Sequence, residues 1–406
     1  MIKWFRDTVY YKSFEGLSRE IWLLSLVMLI NRSGAMVLPF LSIYLNQELG
    51  FSLAKCGIVM ACFGAGSVAG AFIGGILTDK IGFFKVMYIS LLMTGLAFYG
   101  IMTLKDFYVL CGGIFMLSLI ADAFRPANLT AIQTFSKKEN TTRSLSLVRL
   151  AINLGYAIGP FMGGYIASFM GYDFLFIFNG TAILIGGTLF YFFFRNRPQR
   201  ALAHEMTEEQ KNNPDMPWTN TSYLSYLFLF TLTLIVFFQL IFTIPLFFKT
   251  GFGFDESMIG LFMALNGLVI AIIEMPLIYK IENRFTTVGL VVFGGLLIGL
   301  SFIFLSIIPN FIIAALIFTL FITIGEILSF PFSNTYALSF SQDYNRGKYM
   351  GLYTMTFSIS QIISPLAGMF IADQFGFDSL WIGGAVLCIA ASIFIRRTKM
   401  RKAQVL

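Results

Sequence analysis

Two short stretches, Gly171-Tyr-Asp-Phe-Leu-Phe-Ile177 and Gly376-Phe-Asp-Ser-Leu-Trp-Ile382, decide how this chain of 406 residues is organised. They share glycine, an aromatic residue, aspartate, leucine and isoleucine at the same spacing, 205 positions apart. Offsets of 203 and 205 also align these pairs: Gly50 and Gly253, Gly57 and Gly260, Gly64 and Gly267, Asp79 and Glu282, Pro126 and Pro331, Arg143 and Lys348, Pro160 and Pro365, Gly163 and Gly368. Chance similarity between apolar segments would match Leu and Phe rather than Gly, Pro and charged positions. The sequence therefore predicts two copies of one unit.

The composition indicates a membrane protein, because 57% of the residues are hydrophobic and only 12% are charged, about half the charged fraction of a soluble protein. About 20 apolar residues cross a bilayer as a helix. Twelve such segments occur within 21–45, 53–77, 86–102, 107–135, 144–170, 174–194, 223–247, 258–279, 287–308, 311–340, 349–371 and 377–395. We therefore predict an all-α membrane protein with twelve transmembrane helices in two pseudo-symmetric six-helix halves, 1–194 and 222–406, joined by a polar connector, 195–221.

The net charge of +7 does not indicate a nucleic-acid partner, because the basic residues gather in alternate loops. These loops carry Lys80 and Lys85, Arg195 and Arg197, Lys280 and Arg284, and Arg396 and Arg397, whereas the intervening loops carry only Lys55, Lys105 and Lys249. Positive loops stay on the cytoplasmic side of a membrane. We therefore expect a multi-pass protein of the cytoplasmic (inner) membrane with both termini in the cytoplasm.

The sequence gives no indication of an enzyme. The four cysteines have no metal-ligand spacing, the one histidine, His204, lies in the polar connector, and no nucleophile–base pair or phosphate-binding loop is found. We expect no cofactor and no metal. A duplicated bundle of membrane helices is instead the architecture of secondary transporters, which bind substrate near the midplane between repeats. The expected driving force is a proton gradient.

Charged residues within the apolar helices are the candidate functional groups. They are Arg32, Asp122, Arg125, Arg149, Glu274 and Glu326. Each costs roughly 2.5–3.5 kcal/mol near the bilayer centre, so such residues usually line a cavity, form pairs or relay protons. Desolvation favours the neutral form of a carboxyl group, and Glu326 has no basic neighbour nearby on its own helix. We predict Glu326 as the main proton-coupling residue, followed by Glu274 and Asp122.

The remaining polar groups in the helices are candidates for substrate binding. Arg32 and Arg125 supply fixed positive charge in the first half, with Asp122 beside them as a compensating partner, since residues three apart share a helix face. In the second half the candidates are Gln239, Asn266, Asn334 and Tyr353. Any of these four could equally bridge neighbouring helices.

The stretch Gly75-Ile-Leu-Thr-Asp79-Lys-Ile-Gly82-Phe-Phe-Lys85 resembles the loop between the second and third helices of the major facilitator superfamily. Phe83 and Phe84 replace basic positions of the family pattern. The resemblance implies the major facilitator fold. A carboxylate is favoured near the positive end of a helix, so Asp79 is expected to meet the start of the eleventh helix, and Glu282 the start of the fifth. Gly75, Asp79, Gly82, Lys85 and Glu282 would then form a cytoplasmic latch between the halves.

Two further motifs point to different substrates. Gly155-Tyr-Ala-Ile-Gly159-Pro160-Phe-Met-Gly163-Gly164 is similar to the glycine–proline motif of drug–proton antiporters, and we assign Gly159 and Pro160 to the conformational latch. Gly325-Glu326-Ile-Leu-Ser-Phe-Pro331 and Phe124-Arg125-Pro126-Ala-Asn128 resemble stretches of proton-coupled oligopeptide transporters. The first-helix pattern of that family is reduced here to Asn31-Arg32, without its two carboxylates.

These motifs favour a proton-coupled antiporter that exports amphipathic or drug-like organic molecules by alternating access. The alternative within transport is a proton symporter of peptides or similar zwitterionic or anionic solutes. A non-transporting membrane receptor or sensor is the alternative of another class. The expected partners are a small-molecule substrate, protons and the lipid bilayer, and the expected oligomeric state is a monomer.

Overall fold

The computed structural model describes residues 16–136, 140–197, 216–281, 284–342 and 345–397, and no β-strand occurs in these ranges. In the first half, α1 consists of Arg19–Ser33, Val37–Ile43 and a π-helical turn, Tyr44–Glu48, and is followed by α2 (Leu53–Ile81), α3 (Phe83–Thr103), α4 (Phe107–Asp122 and Phe124–Phe135), α5 (Thr141–Met170) and α6 (Tyr172–Phe194). After a 3-10 turn, Pro217–Thr219, the second half contains α7 (Thr221–Phe237, Gln239–Phe242 and Ile244–Thr250), α8 (Glu256–Ile281), α9 (Thr287–Ile307) and α10 (Phe311–Leu338). The last element, Arg346–Ile395, contains α11 (346–375) and α12 (377–395).

The turn between α11 and α12 confirms the prediction of twelve spans. Gly376, between the two helices, has φ of 82°, a positive value that glycine adopts without steric cost. Gly171, 205 positions earlier, has φ of 97° where α5 gives way to α6. Gly50 and Gly253 form a second such pair, with φ of 66° and 69°. The repeat in the sequence is therefore also a repeat in backbone conformation.

Prolines interrupt three helices that the sequence predicts as continuous. A proline within a helix cannot donate to the carbonyl four residues earlier, and its ring clashes with that carbonyl. The interruptions lie accordingly at 34–36 in α1 before Pro39, at Ala123 in α4 before Pro126, and at Phe238 and Thr243 in α7 before Pro245. By contrast α10 runs through Pro331 without a break.

The chain forms two compact units. One contains the described residues of 1–37 and 66–203, and the other those of 38–65 and 204–406. Residues 38–65, which contain most of the second segment of α1 and the first part of α2, therefore group with the second half of the sequence. The predicted boundaries of the repeats, 1–194 and 222–406, describe the duplication and stay a prediction, and most of the connector 195–221 lies outside the described residues.

Glycines bring helices into close contact inside each unit, as their four-residue spacing predicts. In the first unit, an added Cβ at Gly66, Gly70 or Gly74 of α2 would lie 2.2–2.4 Å from a backbone oxygen of α4. In the second unit, a Cβ at Gly294 of α9 would lie 2.6 Å from the carbonyl oxygen of Gly325 in α10. The second contact fixes the part of α10 that carries the next residue, Glu326.

Candidate functional site

Arg32 lies in the last turn of the first segment of α1, next to the interruption at 34–36. Its Nη1 donates a hydrogen bond of 3.2 Å to the hydroxyl of Tyr156 on α5, and its Cζ lies 5.4 Å from the centre of that ring. A guanidinium at this distance over an aromatic ring is stabilised by cation–π attraction. Its Nε is buried and has no hydrogen-bond partner among the described residues. Arg32 is thus held against Tyr156, and its role in substrate binding stays a prediction.

Helices α5 and α6 shape the interruption beside Arg32. A Cβ at Gly155 would lie 2.4 Å from Arg32 Cβ, and one at Gly159 would lie 3.1 Å from the Arg32 carbonyl oxygen. Asn179 of α6 accepts hydrogen bonds on Oδ1 from the backbone N–H groups of Met36 and Val37, at 3.0 and 3.2 Å. Asn179 stands out in the sequence only by its polarity in an apolar helix, whereas Pro39 signals the interruption.

Asp122 and Arg125 form an ion pair at the interruption of α4. Arg125 Nε lies 2.7 Å from Asp122 Oδ1, with 8% of the Asp122 side chain exposed and 46% of the Arg125 side chain exposed. The second carboxylate oxygen of Asp122 and the Oδ1 of Asn128 are buried without a partner among the described residues. The expected Asp122–Arg125 neighbourhood is therefore present. Its role in proton coupling or substrate binding stays a prediction.

Glu326 is joined to α8 by Asn266. The Asn266 side-chain amide donates to Thr323 Oγ1 at 2.9 Å and to Glu326 Oε2 at 3.4 Å, and both acceptors lie on α10. Glu326 is half-buried, and the close α9–α10 contact at Gly325 adjoins it. Glu274, further along α8, is buried with 6% exposure. Two of the sequence-derived candidates, Asn266 and Glu326, are thus brought into direct contact.

Gln239 and Tyr353 bridge helices within the second unit. Gln239 Nε2 donates to the Ser364 carbonyl oxygen on α11 at 2.9 Å, and its Oε1 accepts a short hydrogen bond from Thr243. The Tyr353 hydroxyl of α11 lies 2.6 Å from Ser333 Oγ of α10. Both side chains are buried, whereas Asn334 is exposed. Substrate contact by these three residues stays a prediction.

Four of the predicted latch residues, Gly75, Asp79, Gly82 and Lys85, lie at or near the α2–α3 turn. Asp79 is exposed in the last turn of α2, so the loop expected from the sequence is reduced to Gly82, which has φ of 85°. A carboxylate in the last turn of a helix is repelled by the negative end of the dipole of that helix. A favourable partner for Asp79 must therefore come from another element. Gly75 has open space around it, Lys85 is exposed, and Pro160 lies within the uninterrupted α5. Glu282 lies outside the described residues, and the latch stays a prediction.

Comparison with known proteins identifies the family to which the chain belongs. The model of the Major Facilitator Superfamily matches residues 21–343 and 328–405. The chain is 26% identical over 379 residues to the uncharacterized MFS-type transporter YttB of Bacillus subtilis, covering 91% of this chain and 93% of the relative. It is 24% identical over 342 residues to multidrug resistance protein 1 of the same organism, covering 83% and 85%.

Among solved structures, the chain resembles a POT family transporter crystallised with 5-aminolevulinic acid. The TM-score is 0.79 with 14% sequence identity, and the match covers 95% of this chain and 96% of the other. At this identity the likeness concerns the fold.

Proposed function

The chain belongs to the Major Facilitator Superfamily, and on that premise we propose that this membrane transporter is a proton-coupled antiporter that exports amphipathic organic molecules. In such a transporter, substrate and proton shift the balance between two conformations by binding them with different affinity. The proposed location is the cytoplasmic membrane, with both termini in the cytoplasm, where the basic loops of the sequence place them.

The observation that carries the proposal is the environment of Glu326. Its carboxyl group is half-buried on an apolar helix and accepts a hydrogen bond of 3.4 Å from the side-chain amide of Asn266. We assign proton uptake and release during the transport cycle to this carboxyl group, because ionisable residues within membrane helices commonly serve as proton relays. The close contact between Gly294 and Gly325 transmits a movement of α9 to this position.

Export of amphipathic molecules is supported by α5 and by Arg32. The Gly155–Gly164 stretch resembles the motif of drug–proton antiporters, and one relative is named a multidrug resistance protein. Arg32 adds a preference for substrates with a negative group, because its guanidinium is a fixed positive charge in an apolar helix. Apolar aromatic compounds that carry a carboxylate combine both properties.

Proton symport of peptides is the second candidate. The stretches around Arg125 and Glu326 resemble those of oligopeptide transporters, and the interruption of α4 before Pro126 places the Asp122–Arg125 pair where helical hydrogen bonding is incomplete. A zwitterionic peptide offers a carboxylate and an ammonium group, which match the charges of such a pair.

Proton flux into proteoliposomes separates the two candidates. The full-length protein is reconstituted with an internal pH dye, and norfloxacin, ethidium or dialanine is added outside. Antiport predicts proton movement opposite to the amphipathic compounds, and Glu326→Gln abolishes it, whereas Glu48→Gln, at an exposed glutamate, does not. Proton movement together with dialanine alone would establish the symporter instead. Flux unchanged in Glu326→Gln would exclude Glu326 as the coupling residue.

A further inference from the structure

The interruption of α1 creates backbone groups that need partners outside the helix. The first N–H groups of a helical segment have no intrahelical acceptor. At the start of the second segment of α1 these are the groups of Met36, which precedes it, and Val37, its first residue. A buried donor of this kind that is left unpaired destabilises the fold. The Met36 N–H also contacts the Gly34 carbonyl oxygen at 2.7 Å, within a tight local turn.

Asn179 supplies the missing acceptor from another helix. Its side-chain oxygen accepts from both N–H groups, and the residue is only 2% exposed. It therefore serves α1 as an N-cap residue would, but across a helix–helix contact. Gly34 packs on the same part of α6, since a Cβ there would lie 2.7 Å from Ala182 Cβ.

We propose that Asn179 is the positioning residue for Arg32. The end of the first segment of α1 is fixed on one side by Asn179 and on the other by Gly155 and Gly159 of α5. Arg32 is two residues before the interruption, so the direction of its side chain follows from where the helix ends. Asn179 acts on Arg32 indirectly, through its hydrogen bonds to the backbone of Met36 and Val37. The inference rests on the proposed function only in the assignment of Arg32 to the substrate.

Loss of the acceptor has a defined physical consequence. Without Asn179 Oδ1, the Met36 N–H keeps only the Gly34 carbonyl oxygen, and the Val37 N–H regains a partner only if the interruption shifts along α1 or takes up water. Either change rotates the last turn of the first segment, because residues of a helix are related by fixed angular steps. Arg32 then leaves the ring of Tyr156. A carboxylate at position 179 keeps the acceptor, and Asn179→Asp should preserve the arrangement.

A matched control is present on the same helix. Thr181 of α6 shares a hydrogen bond of 2.7 Å with the hydroxyl of Tyr99 on α3. Thr181→Val removes an interhelical hydrogen bond to α3 two residues from Asn179 and leaves the Asn179 side chain in place. A general loosening of α6 would affect Thr181→Val and Asn179→Leu alike.

The first test needs no substrate. In a full-length protein whose four cysteines are replaced by alanine, Arg32→Cys is modified with a trimethylammonium methanethiosulfonate and the rate is measured. We expect Asn179→Leu to change this rate by about fivefold or more, the factor that corresponds to one hydrogen bond, and Asn179→Asp and Thr181→Val to leave it unchanged. An equal rate in Asn179→Leu would overturn the proposal. If Asn179→Leu does not fold, Asn179→Ala removes the same acceptor.

The second test is a double-mutant cycle on norfloxacin-driven proton flux, with the ethyl ester of norfloxacin as the probe without a carboxylate. Asn179→Leu should raise the KM for norfloxacin about tenfold, near the 1.4 kcal/mol lost with its capping bonds. It should affect the ester less and have no further effect in an Arg32→Gln background. Additive effects of the two substitutions would overturn the positioning role. No effect of Arg32→Gln would instead refute the assignment of Arg32 to the substrate, and the modification rates would still decide on Asn179.

Discussion

The interruptions of α1 and α7 occupy corresponding places in the two repeats but are completed differently. Pro39 and Pro245, 206 positions apart, each follow an interruption. In α7 the polar side chain comes from the interrupted helix, because Gln239 reaches the Ser364 carbonyl of α11. In α1 it comes from a neighbour, because Asn179 of α6 reaches across.

The residues facing the two interruptions explain this difference. Ser364 of α11 is the counterpart of Gly159 of α5 by the offset of 205. Glycine at 159 lets α5 approach the backbone of α1 closely, and the buried Nε of Arg32 has no hydrogen-bond partner among the residues that the structure describes. Gln239 is instead buried and bonded through both its amide nitrogen and its oxygen. One duplicated interruption thus presents a charged group, while the other holds two helices together.

The largest effect is expected where α5 meets α1. Gly155→Ala places a Cβ 2.4 Å from Arg32 Cβ and 3.0 Å from its backbone carbon, so a helix must move. We expect a loss of about 2–3 kcal/mol in unfolding free energy, the upper part of the range of about 1–3 kcal/mol for an overpacked core, measured by thermal unfolding in detergent. Gly112→Ala, which has no atom within 4 Å of its new Cβ, should be neutral or stabilising. Equal behaviour of the two variants would mean that α5 does not constrain α1.

An intermediate effect is expected at the interruption of α7. Gln239→Leu leaves the Ser364 carbonyl and the Thr243 hydroxyl without their partner, and the free energy of unfolding should fall by about 1–2 kcal/mol. Transport of a carboxylate probe should retain its KM if the Gln239 amide serves only its hydrogen bonds to Ser364 and Thr243. Thr250→Val, which removes only an exposed hydrogen bond within α7, serves as the control. If KM increases in Gln239→Leu but not in Thr250→Val, Gln239 contacts the substrate. The interruptions of α1 and α7 would then both serve substrate binding.

The smallest effect concerns the partner of Arg32. Tyr156→Phe removes the hydroxyl that accepts from Nη1 but keeps the ring under the guanidinium. We expect about a fivefold change in KM for a carboxylate probe, corresponding to about 1 kcal/mol for one hydrogen bond. Tyr156→Leu, which also removes the cation–π contact, should change it further. Identical values for Phe and Leu would show that the ring does not hold Arg32.

The sequence predicts the helices and the duplication because both depend on residue types at regular positions. The left-handed glycines at 171 and 376 follow from the same alignment. The interruptions of α1, α4 and α7 were missed, although Pro39, Pro126 and Pro245 were visible. Hydropathy is insensitive to a proline within an apolar segment, and the unbroken α10 shows that proline alone does not decide the matter.

The candidate site was predicted only in part. The Asp122–Arg125 pair depends on a spacing of three along one helix, which the sequence displays directly. The contact of Asn266 with Glu326 joins residues 60 positions apart, and that of Asn179 with Met36 joins residues 143 apart. Such contacts depend on how the helices pack, which a single sequence does not reveal.

The grouping of residues 38–65 with the second unit has a consequence for biosynthesis. In the folded protein, a Cβ at Gly57 of α2 would lie 2.7 Å from the Pro365 carbonyl oxygen of α11, and one at Gly64 would lie equally close to that of Gln361. About 300 residues separate these partners, so at 5–20 residues per second the ribosome needs roughly 15–60 s to supply α11. During this interval the first hairpin resides in the bilayer or the insertion machinery with its glycine surface uncovered. The first hairpin is thus the part of the protein that emerges first, and its glycine surface is among the last to be covered.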